Sequence, residues 1–202
     1  MTWVERYKGW LIALGVVVVV GAYTAGTYNS LIQADQAVQS QWAQVENVYQ
    51  RRADLIPNLV RTVKGAANFE RQTLESVTTA RAAAVSANAA GVQLPVSGEA
   101  MARYQRAQDG LSAALTHLFA VAEAYPQLTA TENYRDLQSQ LEGTENRIAV
   151  ERMRFNEAAQ RFNALRQSFP TNCIASLFGA HFSEKSYFQA QVGASTVPEV
   201  QL

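Results

Sequence analysis

The chain of 202 residues contains a single cysteine, Cys173, which excludes an intrachain disulfide. Histidine occurs only as His117 and His181, far apart and without a second ligand at helical spacing. No H-E-x-x-H, no C-x-x-C, no phosphate loop and no dinucleotide fingerprint is present. No metal, no cofactor and no catalytic residue is therefore expected. Cys173 has no adjacent base and sits among small and apolar residues, so it reads as an inert thiol. Lysine is limited to Lys8, Lys64 and Lys185, and the formal net charge is zero, which leaves no electrostatic footprint for a nucleic acid. Proline and glycine are scarce, and few segments alternate with period two. What remains is an alanine- and glutamine-rich composition suited to helices, in a chain long enough for one real core.

Charge is missing altogether from Gly9 to Ala34. Within that stretch Trp10 to Tyr28 reads WLIALGVVVVVGAYTAGTY, and nineteen helical residues span ~28 Å, close to the hydrocarbon core of a bilayer. Trp10 at one end and Tyr23 and Tyr28 near the other suit the two interfaces. Arg6 and Lys8 precede the span, whereas the next basic residue after it is Arg51. The positive-inside rule then puts the N-terminus in the cytoplasm and the bulk of the chain outside it. A cleaved signal peptide is the alternative, but its best cleavage site, Thr24-Ala25-Gly26, is poor. No cysteine follows the apolar run, which excludes a lipoprotein.

The rest of the chain carries seven-residue repeats. Trp42, Tyr49, Ile56, Val63 and Val77 form the first, with Glu70 at the step before Val77, and Val38, Val45, Leu59 and Ala66 in companion positions. The repeat passes through Pro57 without changing register. Pro57 is accordingly expected to lie inside one continuous helix from about Ser30 to Val85; a helix ending at Ile56 is the alternative. Ser86 to Gly98 reads as a loop. Ser97 then suits an N-cap and Glu99 the first turn of a second helix, with its seam at Tyr104, Leu111, Leu118 and Tyr125. Pro126 closes it. Thr129 and Glu132 have capping-box spacing, and a third helix follows with Tyr134, Leu141, Ile148, Phe155, Phe162 and Phe169 in step. Pro170 ends it. Phe155 and Phe162 are expected in the core.

The expected fold is all-α: a transmembrane helix leading into an antiparallel up-and-down bundle of three long helices plus a short C-terminal helix. Residues 1–8 form a cytoplasmic N-terminus, 9–29 the transmembrane helix, 30–170 a helical stalk and bundle, and 171–202 a short helix and extended tail. At 1.5 Å per residue the three helices would be ~84, ~42 and ~58 Å long. The second can then cover only the distal half of the first. Val38, Trp42, Val45 and Tyr49 are left without a partner in their own chain, so they are expected to form a coiled-coil-like interface of a homo-oligomer.

Three charges fall on the seams: Arg52, Glu70 and Glu151. They suit ordinary ion pairs or polar seam positions that set register and partner choice. Paired-carboxylate catalysis suits them less, because arginines crowd the same region.

The strings QVENVYQRRADLIPNLVRTVKGAA and LQSQLEGTENRIAVERMRFNEAAQRFN, together with Ser168-Phe169-Pro170, Tyr187-Phe188 and Pro198-Glu199-Val200, resemble the LemA family of bacterial membrane proteins. The resemblance runs from Tyr28 to Val200. It implies one N-terminal membrane segment, a soluble antiparallel helical bundle and the bacterial cytoplasmic membrane, and it does not imply an enzyme. The matching positions, expected to be structural or interaction residues, include Arg51, Arg52, Asp54, Pro57 and Asn58, then Glu142, Gly143, Thr144, Glu145, Asn146 and Arg147. One branch of that family is associated with forming magnetosome membranes. The resemblance makes membrane shaping or scaffolding a candidate. Together with the unpartnered stripe, the expectation is a non-enzymatic protein that self-associates and organises the bilayer; an adaptor for a membrane partner such as a protease is the alternative.

Overall fold

The computed structural model describes residues 3–65, 69–90, 98–179 and 182–189; the side chains of residues 3–6, 89 and 90 are not part of that description. The helices are α1 (Trp3–Lys64), α2 (Arg71–Ala90), α3 (Gly98–Ala122), α4 (Pro126–Thr129), α5 (Glu132–Gln167) and α6 (Thr171–Leu177). No strand occurs among the described residues.

Pro57 lies inside α1, as its uninterrupted register implies. A proline has no N–H to give the carbonyl four residues before it. Here that carbonyl belongs to Ala53, which is buried. Arg81 of α2 supplies the missing donor, its Nε giving a hydrogen bond of 2.8 Å to the Ala53 oxygen. The bond also shows that α2 lies alongside α1.

The expectation of one helix from Ser30 to Val85 is corrected. Helix α1 ends at Lys64, where the Gly65 N–H bonds back to the Thr62 carbonyl, and α2 starts at Arg71. Glu70 is no seam charge: it is exposed just before α2 and accepts the Thr73 hydroxyl at 2.9 Å. The two seven-residue steps from Val63 to Val77 span the end of one helix and the start of the next. Both valines are buried in one cluster, but they belong to two different helices. Among the described residues α1, α2, α3 and α5 are long helices, where three were expected. Ala66 and Ser97 lie outside the described residues. The capping box does not form, since the Thr129 hydroxyl donates to the Pro126 carbonyl at the end of α4.

The chain divides into two compact units. One, the bundle unit, comprises Gln41–Glu157 and Ser186–Leu202. Contacts within it run Trp42 to Tyr104 and Arg52 to Ser112, so α3 runs parallel to α1. They run Arg52 to Glu145 and Tyr49 to Arg152, so α5 runs antiparallel to it. Arg81 reaches Ala53 and Asn88 reaches Gln108, so α2 packs against both α1 and α3. Ile56, Leu59, Val63, Leu74, Val77, Leu111, Leu115, Leu118 and Leu141 form its apolar cluster.

The other unit comprises Met1–Ser40 and Ala158–Lys185. In it every described side chain of α1 from Tyr7 to Tyr23 is exposed, whereas Leu31, Asp35 and Val38 are buried. Lys185 pairs with Asp35 at 2.5 Å and stands 4.9 Å from the Phe162 ring centre. Phe155 and Phe162 are both fully buried, as their positions in the repeat imply, but Phe169 is 83% exposed because α5 ends before it.

The Ala53 carbonyl supplies a test. Arg81→Met leaves it buried without a donor and should cost ~1–3 kcal/mol. Pro57→Ala restores an N–H for the same oxygen. In that background the cost of Arg81→Met should fall by ~1 kcal/mol or more, a coupling read from a double-mutant cycle. Chemical unfolding of the purified protein, followed by circular dichroism, measures it. Equal costs in both backgrounds would show that Arg81 and Pro57 act independently.

Candidate functional site

The most chemically loaded place in the bundle unit is a belt of buried polar groups. Arg52 lies at a companion position of the α1 repeat, between Val45 and Leu59. Gln108 lies between Met101 and Leu115 on α3. Each therefore points inward among apolar neighbours, and the two meet. Arg52 is 1% exposed. Its Nη1 donates to Glu145 Oε1 at 2.6 Å and to Ser112 Oγ at 2.7 Å. Its Nη2 donates to Gln108 Oε1 at 2.7 Å and to the Gln108 carbonyl at 3.2 Å. Gln108 Nε2 passes the chain of bonds on to Asn88 Oδ1 at 2.8 Å and the Ala84 carbonyl at 3.3 Å. One guanidinium and one amide thus link all four long helices.

A second cation lies further along α5. Arg152 pairs with Asp109 at 2.9 Å, and its Nε donates to the Tyr49 hydroxyl at 2.5 Å. Its guanidinium carbon lies 5.6 Å from the Tyr49 ring centre and 5.1 Å from that of Phe188. Burial raises the Tyr49 and Tyr104 hydroxyls above the ordinary tyrosine range. For Arg152 burial opposes the charge, but Tyr49 and Asp109 outweigh it, and its pKa is raised.

Trp42, Tyr104, Phe155 and Phe188 pack around these groups, with ring centroids 5.0–6.5 Å apart. The expectation of an uncovered stripe is thereby corrected. Trp42, Val45 and Tyr49 are 1–3% exposed in the bundle unit, and Val38 is 0% exposed in the other unit. Fully covered in a single chain, these four side chains offer a second copy nothing to bury. Helix α3 reaches Trp42 because the turn after Lys64 returns the chain sooner than one helix to Val85 would allow. Phe188 closes the cluster from the C-terminal segment.

That segment is held by side-chain amides, a feature sequence reasoning missed. In the bundle unit Asn156 brackets Phe188, donating to its carbonyl at 3.0 Å and accepting its N–H at 2.9 Å. Gln105 brackets Gln189 in the same way, at 2.7 and 3.0 Å. In the other unit Asn163 brackets Lys185, at 2.9 Å both ways. The signal was present: Asn156 and Asn163 are seven residues apart, each directly after a seam phenylalanine, where a polar side chain needs a partner.

Among the remaining motif positions, Arg51, Asp54, Pro57 and Asn58 lie on an exposed face of α1, as do Glu142, Gly143, Asn146 and Arg147 on α5. Asp54 accepts Gln50 Nε2 at 2.8 Å, Asn58 accepts Arg61, and Glu142 accepts Gln138 Nε2 at 2.9 Å. Thr144 is buried and donates to the Gln140 carbonyl. Of these motif positions the fold joins Arg52 and Glu145 across helices. Glu151 stays local, bridging to Arg154 at 2.8 Å on its own helix. A cleft of about 710 Å³ opens elsewhere in the bundle unit, lined by residues such as Thr62, Tyr125, Leu128 and Asn133, with no charged side chain among the described lining residues. Among the described residues no group of three or more His, Cys, Asp or Glu side chains could hold a metal ion.

Helices without strands among the described residues, one of them long and apolar enough to cross a membrane, define a class: an all-α protein with a candidate membrane span. The chain belongs to the LemA family, whose model matches residues 41–202. It is 27% identical over 188 residues to magnetosome protein MamQ 1 of Paramagnetospirillum magneticum, covering 84% of this chain and 67% of the relative. Magnetosome protein MamQ of Magnetospirillum gryphiswaldense is 26% identical over 184 residues, with the same coverage. Protein LemA of Metamycoplasma hominis is 24% identical over 150 residues, covering 74% of this chain and 64% of the relative.

Two outcomes follow from the belt. Glu145→Ala leaves the Arg52 guanidinium buried without its carboxylate. Removing a partner from a fully buried pair costs ~3–5 kcal/mol, but Glu145 is 40% exposed, so ~1–3 kcal/mol is expected after screening. Adding Arg52→Met should recover part of that loss; a double variant less stable than both singles would contradict it. Glu46 is the second case. Its pKa is raised by burial, partly offset by a hydrogen bond from Trp42. A raised folded-state pKa means stability present below the unfolded value of 4.5 and lost as pH rises through the folded value. Glu46→Gln should therefore melt higher than the parent at pH 7, and the gap should close below the unfolded pKa. An equal gap at both pH values would contradict the assignment.

Proposed function

We propose that this is a non-enzymatic, single-pass protein of the bacterial cytoplasmic membrane that self-associates and scaffolds or shapes the bilayer. The observation that carries it is the exposed, uncharged part of α1. From Trp10 to Tyr23 no side chain bears a charge, and every one of them is exposed. Solvent exposure of such a run is very costly, and a bilayer removes that cost. Arg6 and Lys8 lie on one side of the run and no basic residue on the other until Arg51, which favours a cytoplasmic N-terminus and an extracytoplasmic bundle. Names of two similar proteins place them in magnetosomes, which supports a membrane-organising role for this chain too. In the belt, Glu145 and Asp109 are engaged by arginines inside the packed bundle, which suits a structural use of the charges. Self-association then uses a surface other than Val38, Trp42, Val45 and Tyr49.

Ser139 is exposed on α5. Ser139→Cys in a Cys173→Ser background should react with an impermeant thiol reagent in intact spheroplasts, and labelling only after lysis would reverse the topology. Native mass in mild detergent tests the rest. Multiples of the 22.2 kDa chain support a scaffold. One chain per particle, rising only when a membrane partner is added, would favour an adaptor instead.

A further inference from the structure

In the unit that carries the exposed part of α1, the end of α5 approaches the apolar run. Lys185 joins Asp35 to Asn163, and Phe182 joins Tyr28 to Arg166. Each step down α1 toward the span is thus a step up α5 toward its C-terminus. Helix α6 follows at that end. Phe178, at its C-cap, packs edge-on against Tyr28 with ring centroids 5.1 Å apart, and Phe182 does so at 5.5 Å.

The surface around α6 is unusual for one that faces water. Phe169 is 83% exposed, Leu177 78% and Phe178 39%. Thr171 and Ala175 form the buried side of the short helix, while Cys173 and Leu177, one turn apart, lie on the open side. From Gln167 to Ala180 the sequence has no Asp, Glu, Lys or Arg, just as α1 has none from Gly9 to Ala34. Two uncharged segments, distant in sequence, are therefore brought side by side at Tyr28.

We infer that α6, with Phe169, Leu177 and Phe178, is a second membrane contact: a collar that lies in the headgroup layer where α1 leaves the bilayer. This rests on α1 being a membrane span. The occupant is identified by continuity. The apolar patch adjoins the final turns of the uncharged run, and aromatic side chains prefer the interfacial zone at that depth. No cluster of basic residues accompanies the patch, so apolar insertion drives the contact, and it does not require anionic lipid.

The single cysteine provides the probe. Full-length protein, with an environment-sensitive fluorophore on Cys173, is reconstituted into phosphatidylcholine vesicles containing bromine-labelled acyl chains. Val18→Cys in a Cys173→Ser background, labelled likewise, reports on the span. The expected result is quenching at both positions, shallower at Cys173, with blue-shifted emission there that adding anionic lipid leaves unchanged. Leu177→Asp with Phe169→Asp should abolish the Cys173 signal and spare that of Val18. Quenching at Val18 but not at Cys173 would overturn the collar while the span stands. Quenching at neither would overturn both. A blue shift at Cys173 without lipid quenching, growing with protein density, would mean that the patch meets another chain, and would also overturn the proposal.

Discussion

One backbone oxygen constrains the packing of the bundle. Pro57 inside α1 deprives the Ala53 carbonyl of its helical donor, and that carbonyl is buried, where an unpaired acceptor costs ~1–3 kcal/mol. Arg81 provides the donor from the neighbouring helix. A position that would ordinarily break a helix thus becomes a point where two helices are joined. The bond asks α2 to lie beside α1 at one level. The residue next to Ala53 is Arg52, so the same turn of α1 also presents the guanidinium that reaches α3 and α5.

That guanidinium explains why four amphipathic helices adopt one register. Apolar seams with a seven-residue repeat can slide by whole repeats at modest cost, since leucine meets leucine again. A buried arginine cannot slide in this way: away from Glu145, Ser112 and Gln108 it would be an unpaired charge in an apolar core. Gln108 extends the constraint to α2 through Asn88 and the Ala84 carbonyl. Arg152 repeats the device with Asp109 and Tyr49. Selection among registers, more than gain in stability, is what such groups supply.

The aromatic cluster shows a different principle. Trp42, Tyr104 and Phe155 come from three helices and leave a gap that Phe188 fills. Residues 186–189 adopt no regular structure, so their backbone groups need outside partners. Asn156 and Gln105 provide both a donor and an acceptor to one residue each, much as a neighbouring strand would. A segment without its own hydrogen bonds can then close a core made by helices.

Much of this was legible in the chain itself. An uncharged run from Gly9 to Ala34, seven-residue repeats, and the unbroken register through Pro57 determined a helical protein with one apolar helix, the continuity of that helix past its proline, and the burial of Phe155 and Phe162. Those features depend on local geometry, which repeats every turn and so appears in the letters. The turn between α1 and α2 was not legible, because Val63 and Val77 keep the spacing of one helix although they lie on two. Once that turn was missed, lengths were wrong, and Trp42 and Tyr49 seemed to lack a cover that α3, α5 and Phe188 provide. Nor could spacing show that Arg52 meets Glu145, or that Tyr28 meets Phe178. Those pairs lie 93 and 150 positions apart, and only the path of the folded backbone, set by packing across helices, brings them together.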